Sequence, residues 1–381
     1  MLGRGRVAEV FEISDPPEAA SLALKLFHGP VPDETIRLVD FAQLRRLDQL
    51  VAVGLAEDDA YPLVASPKCL VYAALDGTTP IGLAVLRTDI SRFLPLASWL
   101  LSSKIQTDLK FCVTAATRLA EAVAAVHECG FVVGDVSGAN VLVDSEGFCN
   151  LIDVDSFGVV APGGAMILKP GFATSNFFAP ELPAEGPSLA TDRFSLGLII
   201  TQFLLGGMHP FGGSHRTQAR DQVQANISAR ESWLFSPQIF TLPADQGDHL
   251  GLDCIPQWIH PNIRAALLGD AEERPPAGDW RVTLLRSYTQ IEGCLQCEQD
   301  RFRGAVCRNC GEGARGSKSR SLRRSGGSPA PKSVGPRPRE SGSGSGDPDL
   351  GWPTRARVTW PLVVTIAFVG LVLAALLLAG E

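Results

Sequence analysis

Four cysteines hold the most self-contained chemistry in this 381-residue chain, spaced Cys294-x2-Cys297-x9-Cys307-x2-Cys310. Each C-x-x-C places two thiolates on one knuckle, and two knuckles complete a tetrahedral Zn²⁺ site. So short a segment would scarcely fold without metal, so a structural zinc is expected, serving protein contact or lobe capping. Disulfide or redox chemistry is the alternative for the same spacing. A second set brings oxygen ligands and one cation. Asp135 is followed five residues later by Asn140, and Asp153 lies thirteen residues beyond that. Lys25 stands upstream in an apolar run, fifteen residues after Val10. Near the start, Gly3 and Gly5 flank Arg4. Glycines let backbone N–H groups approach phosphates closely, which makes this stretch a candidate phosphate loop.

These residues need elements to position them. Residues 7–13 and 21–27 read as strands broken by Asp15-Pro16-Pro17, which puts Lys25 on the second. Residues 35–51 read as a helix, and 70–74 with 81–86 as a hairpin around Asp76-Gly77. The stretch 111–129 is strongly helical, with Leu119, Ala122, Val123 and Val126 on one face and Gly130 as its stop. Short apolar strands at 141–143 and 150–152, joined by Ser145-Glu146-Gly147, place Asn140 just before the first and Asp153 just after the second. The remainder to about 290 reads as mainly helical with long loops.

The motifs carried by these elements resemble the protein kinase superfamily over residues 2–285. The segment from Leu2 to Val10 is similar to the kinase glycine-rich loop, with Ala8 at the third glycine, and Ala23-Leu24-Lys25 to the Ala-x-Lys strand. Asp135-Val136-Ser137-Gly138-Ala139-Asn140, followed by an apolar strand, resembles the catalytic loop. Leu151-Ile152-Asp153-Val154-Asp155 resembles the strand and metal-binding aspartate after it. Phe172 to Glu181 resembles the end of an activation segment, with an intact Ala179-Pro180-Glu181 and with Thr174 seven residues before Glu181. Asp192 resembles the helix aspartate that braces the catalytic loop, His209-Pro210-Phe211 follows, and Arg274 resembles the late arginine that pairs with Glu181.

The resemblance implies an α+β, two-lobed protein-kinase-like fold, close to bacterial eukaryotic-like Ser/Thr kinases of a divergent group that carries a zinc ribbon. It implies that Asp135 orients the attacking hydroxyl and accepts its proton, and that Lys25 holds the α- and β-phosphates. Asn140 and Asp153 would bind Mg²⁺. Gly3, Gly5, Val10 and Ala23 would line the ATP site with Lys25. The work of such a site is positioning and charge neutralisation. A helix carboxylate should pair with Lys25, and Glu34, Asp40 and Asp48 are all candidates.

The departures define the alternatives. Val133-Gly134 stands where kinases have His-Arg, Ser137 replaces the usual Lys, and Val154-Asp155 replaces Phe-Gly. Loss of the arginine removes the usual partner of an activation-loop phosphate. The expected activity is ATP- and Mg²⁺-dependent transfer to Ser/Thr hydroxyls of a protein. A nucleotide-binding pseudokinase scaffold is the second reading. A small-molecule phosphotransferase is the third, because Gly134-Asp135…Asn140 with Asp153-x-Asp155 also resembles aminoglycoside and choline phosphotransferases. The Ala-Pro-Glu segment argues against that third reading.

Composition sets the surroundings. Residues 314–357 hold ten Lys/Arg against three Asp/Glu and contain the tract SGSGSG, whereas the whole chain has a formal charge of −7. The remainder is therefore acidic, which excludes a nucleic-acid binder of the usual kind. Cys69, Cys112, Cys129, Cys149 and Cys254 are scattered singly in apolar runs, as structural free thiols are. Residues 358–379 carry no charge. As a helix they would extend about 33 Å, enough for the ~30 Å hydrocarbon core. Arg355 and Arg357 precede them, which predicts a single-pass protein with its N-terminal bulk facing the cytoplasm. The expected organisation is a kinase N-lobe at 1–88, a C-lobe at 89–290, a zinc ribbon at 291–313, a disordered basic linker at 314–357 and a transmembrane helix at 358–379. Expected partners are a protein substrate, the membrane, and a protein at the zinc ribbon.

Overall fold

Alternating small and branched residues at the N-terminus build a sheet rather than a helix. In the computed structural model, β1 (Gly3–Arg4), β2 (Ala8–Glu12) and β3 (Leu22–Phe27) pair antiparallel in sequence order. Next come helix α1 (Asp33–Leu44), the short hairpin β4 (Val51–Val53) and β5 (Ala60–Pro62), and strands β6 (Pro67–Tyr72) and β7 (Pro80–Leu86). β7 pairs with β3 and β6 with β7, so the five-stranded order is β1-β2-β3-β7-β6. The structure describes residues 1–313 except 5–6, 14–16, 54–59, 74–76, 89–90, 170–173, 215–221, 238–239 and 242–249. Gly5, the linker and the expected span 358–379 lie outside the described residues. Among the described residues no helix is long and apolar enough to cross a membrane.

The expected helix at 35–51 is shorter than its pattern suggested. α1 ends at Leu44, Arg46 turns left-handed at φ 55°, and Leu47–Gln49 forms a 3-10 turn before β4. Two contacts stop it. Leu47 is fully buried, and Arg45 Nη1 donates to the carbonyls of Cys129, Gly130 and Val160 at 3.2, 2.7 and 3.2 Å. Arg45 also stacks its guanidinium on Phe41 and Phe131. Continuing the helix would turn both side chains away from these partners.

The larger part of the fold begins with β8 (Leu94–Pro95), α2 (Leu96–Leu100), α3 (Ser103–Thr107) and the long α4 (Leu109–Glu128). Asp108 caps α4 by accepting the Phe111 N–H at 2.8 Å. Short strands follow: β9 (Phe131–Val132), β10 (Val141–Val143), β11 (Cys149–Leu151), β12 (Gly158–Val160) and β13 (Met166–Leu168). β12 and β13 fall where helices and loops were expected. At three residues each they leave no periodicity to read, and long-range pairing of β12 with β9 decides them. Then come α5 (Leu182–Glu185), α6 (Leu189–Leu204), α7 (Gln222–Ser228), α8 (His260–Leu268) and α9 (Ala277–Tyr288).

α6 is buried nearly all round, which explains why its apolar residues are not confined to one stripe. Gly197 lets it meet α8 closely, since a Cβ there would lie 2.4 Å from that of Ala266. The main core joins the inner face of α4 to α6, α8, α9 and the short strands. The last hairpin, β14 (Ile291–Gly293) and β15 (Asp300–Phe302), opens the cysteine segment. It belongs to the same compact unit, Met1–Ala314, and Phe302 is part of the main core.

Candidate active site

Strand alternation puts three of the expected residues on one face. In register, Val10 lies opposite Lys25, which lies opposite Leu83, while Ala23 lies opposite Glu12 and Val85. Directly paired residues share a face, so Val10, Ala23 and Lys25 point the same way. Ala23 and Lys25 are both buried. Ala8, at the third glycine position, is buried on that face too. Gly3 pairs with Val10 at the sheet edge.

Lys25 reaches across to the loop after β11. Its ammonium forms ion pairs with both Asp153 and Asp155. Burial works against the charge of Lys25, yet the carboxylates of Asp155 and Asp153 offset it and hold the pKa above the ordinary lysine value. No α1 carboxylate makes this contact. Glu34 and Asp40 are exposed, and Asp48 bonds Lys68 at 2.6 Å. The partner that sequence reasoning missed is Asp155, noted there as a replacement for glycine and as part of Asp153-x-Asp155 but not as a partner of Lys25. Asp153 adopts left-handed φ 62°, uncommon for a residue with a Cβ. The turn Val154–Ser156 holds it there, with Val154 and Phe157 buried and Ser156 Oγ donating to the Asp153 carbonyl at 2.8 Å.

The loop between β9 and β10 is fixed from below by Asp192. Its carboxylate accepts the Val133 and Gly134 N–H groups at 2.7 and 2.9 Å, and lies 2.9 Å from His127 Nε2. Asp192 sits in the first turn of α6, which Ser188 and Thr191 close with a reciprocal capping box. Gly134 has φ 78°, so glycine suits this position better than an arginine would.

Above this brace, Asp135 meets Asn140 and Thr174. Asn140 Nδ2 donates to Asp135 Oδ2 at 2.8 Å. Thr174 donates its N–H to Oδ1 at 2.9 Å and its hydroxyl to Oδ2 at 3.0 Å. Burial pushes the Asp135 carboxyl above the ordinary carboxylate range, against the lowering effect of the Thr174 bonds. Because the Asn140 nitrogen is committed to Asp135, the atom that residue can offer a cation is its carbonyl oxygen. That oxygen and the half-exposed Asp153 carboxylate are hard donors of the kind Mg²⁺ takes.

The segment bearing Thr174 is anchored at its far end. Arg274, 1 % exposed, grips Glu181 with two guanidinium nitrogens, one bond measuring 2.8 Å, and also donates to the Ala190 carbonyl at 3.0 Å. Burial opposes the Glu181 charge, but the Arg274 bonds hold its pKa below the ordinary glutamate value.

The four cysteines of the last segment converge, with their sulfurs all within 4.8 Å of one another. The two knuckles repeat one geometry. Cys294 N–H donates to Gln299 O and Cys307 N–H to Glu312 O, each at 2.8 Å. The residues after the second cysteine of each pair, Glu298 and Gly311, both take positive φ. Four converging thiols on two such turns suit tetrahedral zinc. A missed residue, Arg308, projects from this segment into the main core and donates to the Phe203 carbonyl at 3.2 Å.

A family model described as protein kinase domain matches residues 94–260. Protein kinase YegI of Escherichia coli K12 is 26 % identical over 317 residues, covering 77 % of this chain and 45 % of that protein. Rhodopsin kinase grk7a of Danio rerio is 28 % identical over 182 residues, covering 47 % of this chain and 31 % of its own length. Human cGMP-dependent protein kinase 2 is 31 % identical over 137 residues, covering 36 % and 17 %. The chain thus spans less than half the length of these relatives. Together with the sheet order, the braced loop around Asp135 and the Glu181–Arg274 anchor, these matches identify residues 94–260 as similar to a protein kinase domain.

Proposed function

We propose that this chain transfers the γ-phosphoryl group of ATP to Ser/Thr hydroxyls of a protein, while tethered to the membrane by residues 358–379 with the kinase domain in the cytoplasm. One observation carries the choice of a protein acceptor. Thr174, on the segment that ends in Ala-Pro-Glu, is bonded to Asp135 by both its N–H and its hydroxyl. A segment pinned to the reacting carboxylate at one end and to Arg274 at the other forms a platform on which an extended peptide can lie.

In this reading Asp135 orients the acceptor hydroxyl and takes its proton, a contribution of roughly 10²–10⁴-fold for a positioned base. Asn140 and Asp153 hold Mg²⁺, which supplies charge neutralisation at the phosphates when bound. Lys25 binds phosphate oxygens, and the sheet face with Val10 and Ala23 receives the rest of the nucleotide. The zinc ribbon serves structure, holding Arg308 in the core.

The test is labelling of a protein mixture by the full chain with Mg²⁺ and γ-labelled ATP, followed by acid hydrolysis. Label on phosphoserine or phosphothreonine supports the reading. Label confined to a small hydroxyl compound, or nucleotide bound with no label transferred, contradicts it. For the tether, the full chain should sediment with membranes and resist carbonate extraction, whereas a chain ending at residue 357 should be released. Equal release of both rules the tether out.

A further inference from the structure

We propose that Asp155, rather than any carboxylate of α1, is the acidic residue that holds Lys25 at the nucleotide site; this rests on the reading of Lys25 as a phosphate-binding lysine. The inner face of α1 is Thr35, Leu38, Val39 and Ala42, with no acidic residue among them. Its carboxylates Glu34 and Asp40 are exposed, and Asp48 beyond its end is bound to Lys68. Asp155 instead lies directly on the Lys25 ammonium.

The two carboxylates on Lys25 are not equivalent. The Asp153 side chain is 43 % exposed, that of Asp155 only 13 %. Asp153 can turn to another partner in solvent. Asp155, 13 % exposed, cannot do so without leaving a buried carboxylate unpaired, which is costly. The backbone around Asp155 is equally fixed, with Val154 and Phe157 buried in the core and Ser156 Oγ bonded to the Asp153 carbonyl. Asp155 is thus a positioning residue, and it frees Asp153 for a cation.

The arrangement also changes what α1 does. Arg45 at its end is bonded to three carbonyls around β9 and β12, so the helix is pinned to the larger part of the fold through its C-terminus. Lys25 meets that part through the Asp153–Asp155 turn rather than through a carboxylate of α1.

The experiment measures ADP binding with Mg²⁺ by calorimetry on the full chain in detergent, for wild type, Asp155→Asn, Lys25→Met, the double variant, Glu34→Gln and Asp40→Asn, with folding checked by circular dichroism. Asp155→Asn should weaken binding about tenfold, a coupling typical of one ion-pair network. In the Lys25→Met background the same change should add less than about twofold, because Asp155 acts through Lys25. Glu34→Gln and Asp40→Asn should leave binding unchanged. The proposal is overturned if Asp155→Asn binds as wild type, if its effect is undiminished without Lys25, or if an α1 variant loses as much. Should Asp155→Asn not fold, a folded double variant supports the pairing, and an unfolded one overturns it. Wild type that binds ADP but labels no protein contradicts the kinase reading and leaves the Lys25–Asp155 result standing. Wild type that binds no ADP overturns both.

Discussion

Thr174 grips Asp135 at both carboxylate oxygens, through its N–H at 2.9 Å and its hydroxyl at 3.0 Å. The hydroxyl bond is to an ionisable group, so its loss is worth about 1.5–3 kcal/mol where it is fully used. Thr174→Ala should lower turnover on a protein substrate by about tenfold to a hundredfold, with little change in ADP affinity. Thr174→Ser keeps the hydroxyl and should retain most of the rate. Equal loss in both variants would mean that the methyl, not the hydroxyl, matters there.

The brace under the loop that carries Asp135 should matter to stability as well as rate. Asp192 is 1 % exposed and satisfies two backbone N–H groups. Asp192→Ala orphans both, at about 1–3 kcal/mol for each buried donor. Gly134→Ala leaves the bonds in place but forces a Cβ into the left-handed region, costing about 1–2 kcal/mol. Urea unfolding of the two variants should rank Asp192→Ala as the more damaging.

Acid sensitivity follows from the Glu181–Arg274 pair. The folded pKa of Glu181 lies below its ordinary value of 4.5. A depressed carboxylate pKa means stability that is present above the unfolded value and lost as pH falls through the folded one. Glu181→Gln should therefore destabilise the chain at neutral pH, by up to about 3–5 kcal/mol for a broken buried pair. The difference from wild type should shrink only below about pH 4.5. A difference that shrinks between pH 8 and 6 would implicate another group.

The cysteine segment should be coupled to the core through Arg308. This guanidinium is 6 % exposed and donates to Phe203 near the C-terminal end of α6, where a cation is favoured. Chelation of zinc, or Cys297→Ser, should lower bound metal in elemental analysis and lower the melting temperature. Arg308→Ala should lower the melting temperature with the metal content intact, by about 1–3 kcal/mol of stability. Metal content unchanged by Cys297→Ser would rule the site out.

Much of this arrangement was legible from residue types and spacing. Asp135, Asn140 and Thr174 come together as their motifs imply, as do Glu181 with Arg274 and the four cysteines. The cysteine pairs and the Asp135–Asn140 loop are short motifs whose local geometry travels with their sequence, whereas Thr174 and Arg274, 39 and 93 positions from their partners, were legible only through the family resemblance. What stayed hidden depends on contacts between distant segments. The end of α1 is set by Arg45 reaching β9 and β12, and no local propensity at residues 45–51 signals that. The partner of Lys25 was sought on a helix, but the acidic residues that meet it are 128 and 130 positions away on the Asp153 loop. The second acidic residue of Asp153-x-Asp155 was visible, and its charge was the available signal. His127 and Arg308 lie in helical or cysteine-rich contexts where a single polar residue is ordinarily solvated.

The most direct measurement is the initial rate of label transfer from ATP to protein by the full chain, compared with Asp135→Asn. That change keeps size and removes the proton acceptor, and it leaves one acceptor oxygen where Thr174 and Asn140 now donate to two. Expected is transfer by wild type and a fall of about 10²-fold or more in the variant, with ADP affinity held within about twofold. Transfer by Asp135→Asn at the wild-type rate would contradict the assignment of this carboxylate to the reaction.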